Sequence, residues 1–145
     1  ASDVAWTTAE AALPAGPPLD GKSLEALVAD KNADPTARAY AAYDLVWLRR
    51  AEKKDPFTLG CLRLGKTRIL HMPGELFVEY QLAAQKMRPD LFVAMAAYGD
   101  YAPGYIGAAI SYSEGGYETS PRASRVDARS EEILTKAVRK LLEVE

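Results

Sequence analysis

With one cysteine and one histidine in 145 residues, the chain cannot build a disulfide within itself, a cysteine-only metal site or a histidine-rich catalytic zinc site. Any serine-histidine triad would have to use His71. It also lacks a Gly-x-Ser-x-Gly elbow, a phosphate loop and paired Cys-x-x-Cys or His-x-x-x-His ligands. No apolar run approaches the ~20 residues of a spanning helix. A net charge of −2 gives neither nucleic acid nor an anionic membrane an electrostatic reason to bind, so nucleic acid and a transmembrane segment are not expected. Cys61, flanked by Leu59 and Leu62, reads as a buried structural thiol.

What remains is an ordinary single-domain composition, 48% apolar and 26% charged, at a length that buries one core. Residues 1–21 carry Pro14, Pro17 and Pro18 among alanines and glycines, which predicts an extended connector with at most one helical turn near Thr7–Leu13. Residues 22–145 read as a single α/β domain, and a chain that starts in such a connector also fits a piece of a larger protein. Leu24, Leu27 and Val28 mark a first short helix. Asp34-Pro35 is an N-cap followed by a helix-starting proline and opens a second helix running to about Lys54. The cationic end of that helix, from Arg49 to Lys54, matches the negative pole of its dipole and needs no ligand.

Phe57–Arg63 and Thr67–Met72 are β-favouring runs about a Leu64-Gly65-Lys66 turn, the pattern of a hairpin. The apolar run from Ile69 stops at Pro73-Gly74 and presents Glu75, which opens a helix running to Lys86. Leu91–Ala96 then reads as a strand covered on both faces. Strand, helix and strand in succession make a βαβ unit, whose right-handed crossover puts both strands parallel with their carboxyl ends on one edge. Ligands favour that edge, where Glu75 and the segment starting Tyr98-Gly99-Asp100-Tyr101 both emerge. Asp127 is read as the cap of a final helix whose Ile133, Leu134, Ala137, Val138, Leu141 and Leu142 form one apolar stripe. The fold class is therefore α/β: an N-terminal helical pair, a β-hairpin and βαβ unit forming a small mixed sheet, and an amphipathic C-terminal helix docked on it.

The segment from Tyr98 to Glu118 holds five of the eight tyrosines and five glycines, a density typical of a functional loop. Its phenols can pack on the scaffold, ligate a metal or donate to an oxyanion, and spacing does not separate these roles. Glu75, just past a strand, is placed for metal ligation or proton transfer, although the first turn of a helix favours an acid on dipole grounds alone. His71 is either a strand histidine held by hydrogen bonds or a ligand.

Two stretches, Leu70-His71-Met72-Pro73-Gly74-Glu75-Leu76-Phe77 and Tyr101-Ala102-Pro103-Gly104-Tyr105-Ile106 through Glu114-Gly115-Gly116-Tyr117-Glu118, resemble the C-terminal part of the catalytic domain of neutral (alkaline, non-lysosomal) ceramidases, especially bacterial members. The resemblance covers roughly residues 57–120. It implies that Glu75 and Tyr105 are zinc ligands, and that Tyr117 donates to the oxyanion formed when an amide carbonyl is attacked. In that family, histidine ligands and the attacking serine come from a more N-terminal part of the catalytic domain, which becomes the implied partner of this chain. The implied substrate is an amide or lipid-like molecule. Where the family carries a threonine pair after its ligand tyrosine, this chain has Gly107-Ala108, which argues against a ceramide-type lipid.

Three functions follow. One is the C-terminal portion of a zinc-dependent amidohydrolase. A second is a non-enzymatic α/β binding module that uses the tyrosine- and glycine-rich loop. The third is a complete enzyme using His71, Glu75 and Asp100.

Overall fold

The computed structural model describes residues 3–16, 19–100 and 103–144. Pro17 and Pro18 of the expected connector, and Tyr101 and Ala102 of the tyrosine-rich segment, lie outside the described residues. In chain order the elements are β1 (Val4–Ala11), α1 (Gly21–Ala29), α2 (Pro35–Glu52), β2 (Phe57–Leu64), β3 (Thr67–Pro73), β4 (Glu75–Leu76), α3 (Val78–Met87), β5 (Phe92–Gly99), β6 (Tyr105–Ile106), α4 (Ala109–Glu114) and α5 (Ser130–Leu141). The α/β class and the mixed sheet are as expected.

The main sheet has the order β1-β2-β3-β5, with β1, β2 and β3 antiparallel in turn and β3 parallel to β5 across the α3 crossover. Gly65, at φ +56°, makes the tight β2–β3 turn. The register aligns Thr7, Cys61, Leu70 and Met95 across the four strands on one side, and Trp6, Leu62, Ile69 and Ala94 on the other. Period-two alternation thus gives the sheet two different faces. On the inner face Leu59, Leu70 and Met72 are fully buried in one core with Leu134 and Val138 of α5 and with Leu142 just past its end. Each fully buried leucine contributes about 1.5–3 kcal/mol relative to exposure.

The N-terminal segment departs from expectation. Residues 4–11 form no helical turn; they pair along their whole length with β2, from Val4 opposite Leu64 to Ala11 opposite Phe57. Ala9 and Ala11 are buried and alternate with exposed Thr8 and Glu10, a period-two pattern whose small side chains carry too weak an apolar signal to be seen. The expected burial of Leu91–Ala96 on both faces is also corrected. β5 is an edge strand on which Val93 is buried, while Phe92 is 69% exposed and Ala96 is open. The helices α3 and α5 both pack on the inner side, so the outer face keeps Val4, Trp6, Leu64 and Phe92 exposed.

Both helix-start signals at Asp34-Pro35 operate: the Asp34 carboxylate accepts from the Ala37 amide at 2.9 Å, with Pro35 at the first helical position. Asp20 caps α1 in the same way through the amides of Lys22 and Ser23. Asp127 does not cap α5, whose N-cap is Arg129; the Asp127 carboxylate instead accepts from the Arg129 amide and pairs with its guanidinium. Beneath the sheet end, Trp47 of α2 stacks on Phe57 at 5.9 Å and donates from Nε1 to the Arg125 carbonyl at 2.7 Å. This anchors α2 to the segment following the tyrosine-rich loop.

Candidate functional site

The site grows out of the bend at Pro73-Gly74. Gly74 sits at φ +62°, and a Cβ there would meet the Gly104 carbonyl oxygen at 2.6 Å, so both backbone conformation and space require glycine. Its amide donates to the Gly99 carbonyl at 2.8 Å and its carbonyl accepts from the Tyr98 amide at 2.7 Å, clamping the end of β5 to the bend. Tyr98 and Asp100 on either side of Gly99 both adopt left-handed φ, 68° and 43°. The chain past Gly74 does not enter a helix: Glu75-Leu76 forms β4, parallel to Tyr105-Ile106 of β6, and α3 begins only at Val78. This corrects the expectation that Glu75 opens the helix, and it removes the dipole account of its position.

In this short ladder Glu75 is the register partner of Tyr105. The Tyr105 phenol faces the Glu75 carboxylate, which by hydrogen bonding and by its charge holds the phenol above its ordinary pKa. The Tyr117 ring stands edge-on to Tyr105, with centroids 6.3 Å apart at 74°, and is 59% exposed. The structure thus brings Glu75, Tyr105 and Tyr117 together, across separations of 30 and 42 residues in the sequence (105 − 75 and 117 − 75).

All three line one pocket of about 760 Å³. Its opposite wall is the N-terminal half of α2, which contributes Pro35, Tyr40 and Tyr43. The floor comes from the segment after the tyrosine-rich loop, through Arg122, Ala123 and Arg125. That segment is tied to the ladder by the Tyr105 amide donating to the Ala123 carbonyl at 3.0 Å and the Arg125 amide donating to the Pro103 carbonyl at 3.0 Å. It is tied to α2 by the Arg125–Asp44 ion pair and by the Arg125 guanidinium lying 4.6 Å over the Tyr43 ring. Burial raises the Tyr43 pKa, with the nearby Arg125 charge opposing.

Tyr40, Tyr43, Arg122 and Arg125 were not singled out by sequence reasoning. The only available signal was the pair of tyrosines at i and i+3 on α2, which reads equally well as helix packing. The pocket lining contains neither His71 nor Asp100. His71 lies in register with Gly60 and Ala96 on the outer sheet face, its ring filling the space that a side chain at Gly99 would occupy. Two further tyrosines, one in the segment and one in α3, have structural partners. Tyr112 is hydrogen-bonded to Ser124, and Tyr80 donates to the Gly107 carbonyl at 3.0 Å in the core.

As a metal site, the arrangement supplies two oxygen donors, the Glu75 carboxylate and the Tyr105 phenol. Zinc takes three or four protein ligands, and among the described residues no cluster of three His, Cys, Asp or Glu side chains exists. The residues present fit part of a zinc site and not a whole one.

The chain matches no protein-family model and no curated protein. Two solved structures are similar to it over part of their length. One, a ceramidase complexed with C2, is 16% identical with a TM-score of 0.49 over 61% of this chain. The other, the neutral ceramidase from Pseudomonas aeruginosa, is 15% identical with a TM-score of 0.44 over 94% of this chain. The chain spans 15% and 25% of the lengths of these two structures.

Proposed function

We propose that the chain is the C-terminal portion of a zinc-dependent amidohydrolase resembling neutral ceramidase, which cleaves an N-acyl amide bond. In this reading Glu75 and Tyr105 are two of the metal ligands, and Tyr117 is the donor to the developing oxyanion. Histidine ligands and the attacking group come from a more N-terminal part of the same catalytic domain. The observation that carries the reading is the Glu75–Tyr105 ladder pair with Tyr117 edge-on beside it in one pocket.

The chemistry follows from the groups present. The neighbouring Glu75 carboxylate holds the Tyr105 pKa up, so ligation by the phenol would release the phenol's proton and turn the carboxylate from a neighbour into a ligand. Zinc, when bound, would polarise the amide carbonyl and activate the attacking hydroxyl. Tyr117 stands close to the pair and exposed, free of the burial that commits Tyr80 and Tyr112 to the scaffold. A phenol placed there can donate to a carbonyl oxygen as charge develops on it.

The test is expression with the upstream coding region, followed by zinc analysis and an N-acyl amidase assay. Zinc-dependent turnover is expected in the longer protein, and Tyr117→Phe should lower it about 10²–10³-fold with unchanged zinc content. An unaltered rate in that variant, or an upstream region without histidine ligands, overturns the assignment.

A further inference from the structure

Charge in the pocket is unevenly distributed. The Arg125 guanidinium is taken up by Asp44, and the Glu75 carboxylate lies beside the Tyr105 phenol. Arg122 also lines the pocket, and among the described residues it has no ion-pair partner. It is exposed, as is Tyr40 on the facing wall. Four tyrosine side chains, from Tyr40, Tyr43, Tyr105 and Tyr117, supply the ring surface. About 760 Å³ is the size of a site for one compact small molecule.

We propose that this pocket binds a compact N-acyl compound with an aromatic or short apolar body and a free carboxylate, the class of N-acyl amino acids, and that Arg122 holds the carboxylate. The amide part of this assignment rests on the hydrolase reading above, whereas the carboxylate and the flat body rest on the lining. Tyrosine rings accept flat or short apolar groups on their faces and offer hydroxyls at their edges. A planar guanidinium matches a carboxylate with two parallel hydrogen bonds, which a lone ammonium does not reproduce. Such a ligand would span the pocket with its carboxylate at Arg122 and its amide at Glu75, Tyr105 and Tyr117. Arg122, faced only with the hydrocarbon of a long-chain neutral lipid, would lose water without gaining a partner, a cost that a carboxylate-bearing ligand avoids.

The experiment measures binding, so it does not depend on turnover. N-acetylphenylalanine and its neutral analogue N-acetylphenylalaninamide differ only in the carboxylate, and their dissociation constants can be determined by NMR titration on the chain at low salt. The carboxylate is expected to bind at least about tenfold more tightly. That preference should vanish in Arg122→Gln, shrink in Arg122→Lys, and weaken as salt is added. Equal binding of the two probes, a preference that survives Arg122→Gln, or no binding of either overturns the proposal. Carboxylate-selective binding in a longer protein that hydrolyses no N-acyl amide would overturn the hydrolase reading and leave the anion site standing. Zinc-dependent turnover without any carboxylate preference would do the reverse.

Discussion

In the four-stranded sheet Leu59, Leu70 and Met72 are sealed beneath α5, whereas in the β4–β6 ladder Ile106 alone is fully buried and Glu75, Leu76 and Tyr105 stay partly open. The sheet is held by apolar area: its register is set because a slip of one residue would turn Leu70 and Cys61 outward. The ladder is two residues long, too short for such a mechanism. It is held by backbone hydrogen bonds from the amides of Gly74, Glu75 and Tyr105 to the carbonyls of Gly99, Gly104 and Ala123 respectively, and by positive φ at Gly74 and Gly104. Stability thus resides in one region and site geometry in the other, a division suited to placing polar groups where they can meet a ligand.

That division makes the two regions separable by mutation. Leu70→Ala, which empties a fully buried position, should cost about 2–5 kcal/mol in chemical denaturation. A cost below about 1 kcal/mol would mean that the sheet is not the main source of stability. Gly74→Ala adds strain at positive φ and a clash with the Gly104 carbonyl, and should cost about 1–3 kcal/mol. Its more telling signature is separation of Glu75 from Tyr105, visible as a fall in the Tyr105 pKa in a spectroscopic phenol titration; an unshifted titration would show that the ladder survives without glycine.

Glu75→Gln should act on the site and leave the sheet intact. Removing the carboxylate that raises the Tyr105 pKa should bring the phenol back towards its ordinary value near 10. The sign follows from linkage. A raised folded-state pKa contributes stability that is fully present below the unfolded value and is lost as pH rises through the folded one, so the native protein should lose that contribution only in alkali. Tyr105 is solvent-facing, so a stability change in alkali should be small, and the titration itself is the measurement to make. The smallest effect is expected from Glu25→Ala, which removes an exposed ion pair with Arg49 and should change stability by no more than about 1 kcal/mol.

Local pattern was enough for much of the scaffold. The α5 stripe, the Asp34-Pro35 start, the Gly65 hairpin and the β3-α3-β5 crossover are each written in spacings of a few residues, because helical and strand periodicities place neighbours on one face. β1 escaped notice because alanine and threonine give a faint alternation, and its role as the sheet edge depends on a partner some 50 residues away. The extent of α3 was misjudged because Glu75-Leu76 fits a helix as well as a strand, and a β6 strand 30 residues later decides between them.

By itself, the sequence determined the α/β class, the βαβ unit and the placing of Glu75 and the tyrosine-rich segment at one sheet edge; the specific trio of Glu75, Tyr105 and Tyr117 entered through the resemblance. Only the tertiary structure decided that Tyr105 and Glu75 stand side by side, that α2 forms the facing wall, and that Arg125 pairs with Asp44 while Arg122 has no ion-pair partner among the described residues. The physical reason is that side-chain periodicity encodes which way a residue points, whereas the meeting of residues from α2, β4, β6 and the segment after α4 depends on how separate elements pack, which no local spacing records.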